Sequence, residues 1–218
     1  MILGLWATVA AAELPLPSWR EERIRAEWAA VNAQIEGACT PPKFIGQSVV
    51  CDVPNVRAAM ARATAFEEHV TEDGGLAYLI GLGHRYLGED DRAEAQYERA
   101  VKLTPGDQGA WYDLGELYMA SDRVDLAAEA FTRVSELTAS SPSAWIGPWR
   151  LAEIAAARHD PVAFEAHMRE ALRRGFSFRT IQGLPNWKAY YADPALTDSI
   201  RKLVTVYGGP GILESLAP

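Results

Sequence analysis

The 218-residue chain has two cysteines and four histidines. Metal centres assembled from Cys and His need several ligands in close register, and neither residue recurs at such spacing. Basic charge is also scarce: 21 Lys and Arg stand against 29 Asp and Glu, a net charge of −8. Nucleic-acid binders show a basic stripe, so that partner class is set aside. Arg20, Arg23 and Arg25 alternate with Glu21, Glu22 and Glu27, the pattern of a solvated helix face. No apolar run approaches the roughly 20 residues of a membrane-spanning helix.

Catalytic signatures are missing too. There is no Gly-x-Ser-x-Gly elbow, phosphate-binding loop, His-Glu-x-x-His helix or Cys-x-x-Cys pair. Gly81-Leu82-Gly83 is half of a dinucleotide fingerprint and falls inside a helical pattern. His84 reads as a packed imidazole, His159 as a turn residue and His167 as a helix-face residue. Glu67-Glu68-His69 with Glu72-Asp73 reads as an acidic helix end rather than a cation site. No cofactor, no metal and no enzymatic activity are expected.

Apolar residues make up 49% of the chain, ample for a core. Residues 1–9 are apolar, and Ala10-Ala11-Ala12 precedes Glu13-Leu14-Pro15. This reads as a signal peptide over 1–12 with cleavage after Ala12, although its basic n-region is missing. The expected location is then periplasmic or secreted. The alternative is a cytoplasmic protein with an apolar N-terminal segment tucked on its core. Cys39 and Cys51 bracket one loop, and export would make them a disulfide. Closing such a loop stabilises by about 3 kcal/mol in the chain-entropy account. Two unrelated thiols, or half a zinc site, are the other readings.

From Gly74 the sequence repeats after 34 positions, in blocks 74–107 and 108–141. Ala77 matches Trp111, Ile80 matches Leu114, and Gly81 matches Gly115. Ala93 matches Ala127, Tyr97 matches Phe131, and Ala100 matches Val134. The small residues mark where two helices approach closely, and the large ones fill the space beside them. Polar turns, Gly88-Glu89-Asp90-Asp91 and Ser121-Asp122-Arg123, separate the helices. The pattern resembles the tetratricopeptide repeat, most fully in Trp111, Leu114, Gly115, Tyr118, Ala127 and Phe131. The resemblance implies an all-α fold, a right-handed superhelical solenoid of antiparallel helix pairs. It further implies a non-catalytic scaffold for a protein or peptide partner.

A third, degenerate unit occupies 142–175, with the turn Arg158-His159-Asp160 displaced by three residues. Pro148 lies early in its first helix, either in the first turn or at a kink. Upstream, 13–73 reads as a helical hairpin or cap. Its first helix is announced by the Ser18/Glu21 capping box and carries Ile24, Trp28, Val31 and Ile35 on one face. Its second, near Asn55 to Val70, turns Val56, Met60, Ala63 and Phe66 inward. Downstream, 176–218 reads as capping helices. Asp193-Pro194 opens the last of them, and Leu196, Ile200, Leu203, Val204 and Tyr207 form its apolar face.

The resemblance also implies that the first helices line a concave groove. Counted here, the groove residues are Tyr78, Leu82, Arg85, Tyr112, Glu116, Met119, Trp149 and Glu153. Aromatic side chains at such positions are common interface anchors, so an extended or helical apolar peptide is the expected occupant. An envelope assembly or accessory factor is the more specific version. The alternatives are a small ligand or substrate in a pocket between cap and solenoid, and self-association through Trp187, Tyr190 and Tyr191.

Overall fold

A computed structural model describes residues 19–40, 49–70, 72–182 and 184–217. The expected signal peptide, Ser18 and residues 41–48 of the cysteine loop lie outside them. The chain is a succession of antiparallel helix pairs. The first is α1 (Trp19–Ala38) and α2 (Val53–Glu67), joined through two short strands, β1 (Cys39–Thr40) and β2 (Val50–Cys51). Cys39 and Cys51 are register partners in these antiparallel strands and form a disulfide. Val31, Ile35, Val56, Ala59, Met60 and Ala63 pack this hairpin against the next helix. Trp28 is 40% exposed and contributes little to that face.

Three repeat pairs follow: α3 (Gly74–Tyr86) with α4 (Asp90–Leu103), α5 (Gln108–Ala120) with α6 (Val124–Leu137), and α7 (Ile146–Ala157) with α8 (Pro161–Arg173). The first two pairs start in register with the sequence repeat. Aspartates open four of the described helices. Asp52 precedes α2 and accepts from the amide of Asn55. Asp73, Asp107 and Asp160 do the same for the amides of Leu76, Ala110 and Ala163, relieving free N–H groups at each start. The small-residue positions act by contact. A Cβ added at Gly81 would stand 2.6 Å from the Tyr97 ring, and one at Gly115 would stand 2.8 Å from the Phe131 ring. The turns share one device as well. Gly88, Asp122 and His159 all adopt positive φ, at 72°, 59° and 54°. The left-handed residue ends one helix and reverses the chain within a few residues.

The third pair departs from the repeat at its start. α7 begins at Ile146, after a turn-rich stretch from Thr138, and Pro148 sits in its first turn where no intrahelical donor is needed. Gly147 allows α7 to close on α6: a Cβ there would lie 2.6 Å from the Ser135 backbone.

The C-terminal region is more ordered than its sequence pattern indicates. A short 3-10 helix (Phe178–Ile181) leads into α9 (Pro185–Ala192), α10 (Thr197–Tyr207) and α11 (Ile212–Leu216). Phe176, Phe178, Ile181 and Trp187 are buried with Phe164, Met168, Leu196 and Ile200. α10 starts later than Asp193-Pro194 predicts, because Asp193 first caps a turn through the Ala195 amide (2.9 Å). Tyr207 is 50% exposed and leaves the apolar face. Trp187 is fully buried, which removes it as a surface for self-association.

Candidate functional site

The first helices of the first two repeat pairs carry the expected groove residues in accessible positions. Tyr78, Leu82 and Arg85 on α3, and Tyr112, Glu116 and Met119 on α5, are all partly buried. Tyr78 rests against Tyr97 (ring centroids 5.7 Å) and Tyr112 meets Phe131 edge-on (5.8 Å). Each ring is therefore held by its own repeat pair while part of it stays open. Arg85 is bonded to Asp90 (2.7 Å) at the end of the row.

α3 and α5 are joined by a bond that the sequence did not single out. The Tyr78 hydroxyl donates to Asp113 Oδ2 (3.0 Å). Gly109, one turn earlier on α5, leaves room for that hydroxyl, since a Cβ there would lie 3.3 Å from it. Asp113 follows Tyr112 between the apolar residues Trp111 and Leu114, and an acid set there is the available signal. Burial raises its pKa to about 6, with Glu116 and Asp107 adding to the rise and the Tyr78 bond and Arg85 opposing it. Tyr78 itself is pushed up, first by burial and then by Asp113.

The raised Asp113 pKa has a stability consequence. The ordinary value is 3.8, so between about pH 4 and pH 6 the folded state binds more protons than the unfolded one. Stability then falls as pH rises through this window, by up to about 3 kcal/mol. Asp113→Asn should flatten that part of the profile. Melting curves of parent and variant should be similar at pH 4 and separate above pH 6, the variant melting higher.

The third pair is closed. Trp149 and Glu153 are only 4% and 2% exposed, so neither is open to a partner in this conformation, a correction to the expected groove. The cover is the protein's own C-terminal region. Asn186 Nδ2 and Trp187 Nε1 on and beside the start of α9 both donate to Glu153 Oε1, each at 2.9 Å. Trp149 stacks on Phe176. Arg150 lies between Glu153 and Glu116, pairing with both. Its guanidinium is 5.3 Å from the centroids of the Phe131 and Trp149 rings. Burial opposes the charge of Arg150, but the two carboxylates outweigh it and raise its pKa. Burial likewise raises the pKa of Glu153 against the pull of Arg150 and its hydrogen-bond donors.

Among the histidines, His84 is partly buried and bonds Glu89 through Nδ1 (2.8 Å). His159 is exposed and contacts Asp193 (2.5 Å). Among the described residues, no group of three or more His, Cys, Asp or Glu could hold a metal ion. No helix there is long and apolar enough to cross a membrane.

The family model described as "Tetratricopeptide repeat" matches residues 78–142. The chain carries tetratricopeptide repeats. The matched span covers most of α3 and all of α5. Two curated relatives align over part of the chain. The chloroplastic "Tetratricopeptide repeat domain-containing protein PYG7" of Arabidopsis thaliana is 46% identical over 66 residues, 29% of this chain and 22% of that protein. The "Cytochrome c-type biogenesis protein CycH" of Pseudomonas aeruginosa is 41% identical over 91 residues, 34% of this chain and 22% of that protein. The alignments thus span about a fifth of each relative's length. Among solved structures, MamA superposes with a TM-score of 0.57 at 15% identity, covering 74% of this chain and 89% of MamA. YrrB, described as "a TPR protein with an unusual peptide-binding site", gives 0.55 at 13% identity, covering 73% and 82%. At these identities the likeness speaks to fold. The fold is a nearly all-α solenoid of helix pairs, with tetratricopeptide repeats over residues 78–142.

Proposed function

We infer that this protein is a non-catalytic scaffold that holds a peptide segment of another protein along α3 and α5. The observation that carries this reading is the row Tyr78, Leu82, Tyr112 and Met119. Tyr78, Tyr112 and Met119 pack against the core of the repeats and Leu82 against that of the first hairpin, all left partly open, while the matching positions of the third pair are filled from within. The groove is therefore about two repeats long and is bounded by the Glu116–Arg150–Glu153 network. Rigid aromatic anchors in a preformed groove bind with little ordering cost. The disulfide favours an oxidising compartment. The partial likeness to a cytochrome c biogenesis protein makes an envelope assembly role the specific version of this proposal.

Partner capture from native extract tests the reading. Leu82→Gln with Met119→Gln, at two positions that are not fully buried, should melt within a few degrees of the parent. The variant should lose a captured partner, with affinity falling by about tenfold or more for two apolar contacts. A partner held equally by parent and folded variant would place the working surface elsewhere. The cleft of about 340 Å³ lined by Trp19, Ile24, Phe66 and His69 would then be examined next.

A further inference from the structure

The repeat motif accounts for the glycines, the alanines and the large packing residues, but not for Asp113. This inference rests on the groove reading above and names the chemistry of what the groove takes. Asp113 is a partly buried carboxylate that accepts one hydrogen bond, from Tyr78, and forms no ion pair among the described residues. Its charged neighbours are already engaged: Glu116 pairs with Arg150, and Arg85 with Asp90. Tyrosines on three helices feel its charge, Tyr78 and Tyr86 from α3, Tyr97 from α4 and Tyr112 from α5.

Tyr97 forms the inner wall of this cluster. It is fully buried, its ring is 5.7 Å from that of Tyr78, and its hydroxyl has no hydrogen-bond partner among the described residues. A desolvated carboxylate without a counter-ion is costly to keep. Groups of this kind concentrate where a ligand supplies what is missing. The composition of the cluster says which ligand. A carboxylate bonded to one partly open tyrosine, with a second preceding it on α5, offers Coulomb attraction beside aromatic surface, which suits an ammonium or guanidinium and repels an anion.

We propose that the groove receives a cationic side chain, lysine or arginine, of an extended peptide on Asp113, with flanking apolar residues on Leu82 and Met119. Apolar contacts then supply area, and the cation sets the register of the peptide along α3 and α5. The chain's net charge of −8 favours the approach of such a segment.

The test is an array of short random-sequence peptides probed with the full chain, with separate lysine and arginine spots at each position. The parent should select a cation at one position over its neutral counterpart by about 10–100-fold, the span of a charge-assisted hydrogen bond. Asp113→Asn should bring that preference close to one while apolar preferences persist, and Tyr78→Phe, which keeps the carboxylate, should retain it. Exchanging the selected lysine for norleucine, or arginine for citrulline, should cost the parent the same factor and needs no variant protein. Peptide binding without a cation preference, or a preference that survives Asp113→Asn or the neutral peptide, overturns the cation assignment and leaves the groove reading standing. A parent that binds no peptide removes both.

Discussion

Trp187→Ala should cost about 3–5 kcal/mol of stability, the range for deleting a fully buried large aromatic side chain. At roughly 2–4 °C per kcal/mol for a chain of this size, the melting point should drop on the order of 10 °C. The indole is fully buried. It packs against Phe164 and Tyr190 at 6.0 and 5.8 Å between ring centroids, and donates its N–H to Glu153. Alanine would open a cavity between α8 and α9 and remove one donor from a buried carboxylate. Trp187→Phe keeps most of the packing and loses only the donor, so it should cost about 1–2 kcal/mol. Urea and thermal unfolding of the three proteins measure both steps. A loss below about 1 kcal/mol for the alanine variant, within the range of ordinary surface changes, would contradict the packing described for the C-terminal region.

Glu153→Ala should be comparably severe, about 3–5 kcal/mol, because one buried carboxylate pairs with Arg150 and accepts from Asn186 and from the fully buried Trp187. Its removal leaves the Arg150 guanidinium with Glu116 alone, and leaves Asn186 Nδ2 and Trp187 Nε1 without their acceptor. Glu153→Gln retains an acceptor oxygen for Trp187 but forfeits the charge pairing, so its cost should be about half as large. The two sites touch, so Trp187→Ala and Glu153→Ala together should cost less than the sum of their separate losses. Strict additivity in denaturant unfolding would show that the Trp187–Glu153 bond is not formed in solution. Repeat solenoids are stabilised mainly between neighbouring units. Both variants should therefore loosen the C-terminal cluster first and leave α3 and α4 protected from hydrogen exchange.

The parts of this fold that were legible in sequence are those fixed by contact within one unit. Gly81 beside Tyr97, and Gly115 beside Phe131, recur because no Cβ fits there, and so they mark the period directly. The Asp122 and His159 turns correspond for a similar reason: a tight reversal puts a left-handed residue in each. Features set by contact between distant segments were not legible. The pattern at 176–184 looked degenerate because a short 3-10 helix and a buried aromatic cluster have no helical period to display. Nothing local says that Asn186 and Trp187 will reach back to Glu153, so Trp149 and Glu153 were placed in a groove that the chain itself fills. Asp113 does not stand out in sequence because a single acidic residue in a helix ordinarily faces water. Only the arrival of Tyr78 from the neighbouring repeat gives it a different setting.

We infer that the working surface is the inner row on α3 and α5, with the third pair sealed by the protein's own α9. Amide hydrogen exchange, compared with and without an array-selected peptide, tests this most directly. The account predicts slowed exchange concentrated in α3 and α5, with α4, α6 and α9 unchanged. Protection confined to α4 and α6, or faster exchange across α9 on binding, would contradict it.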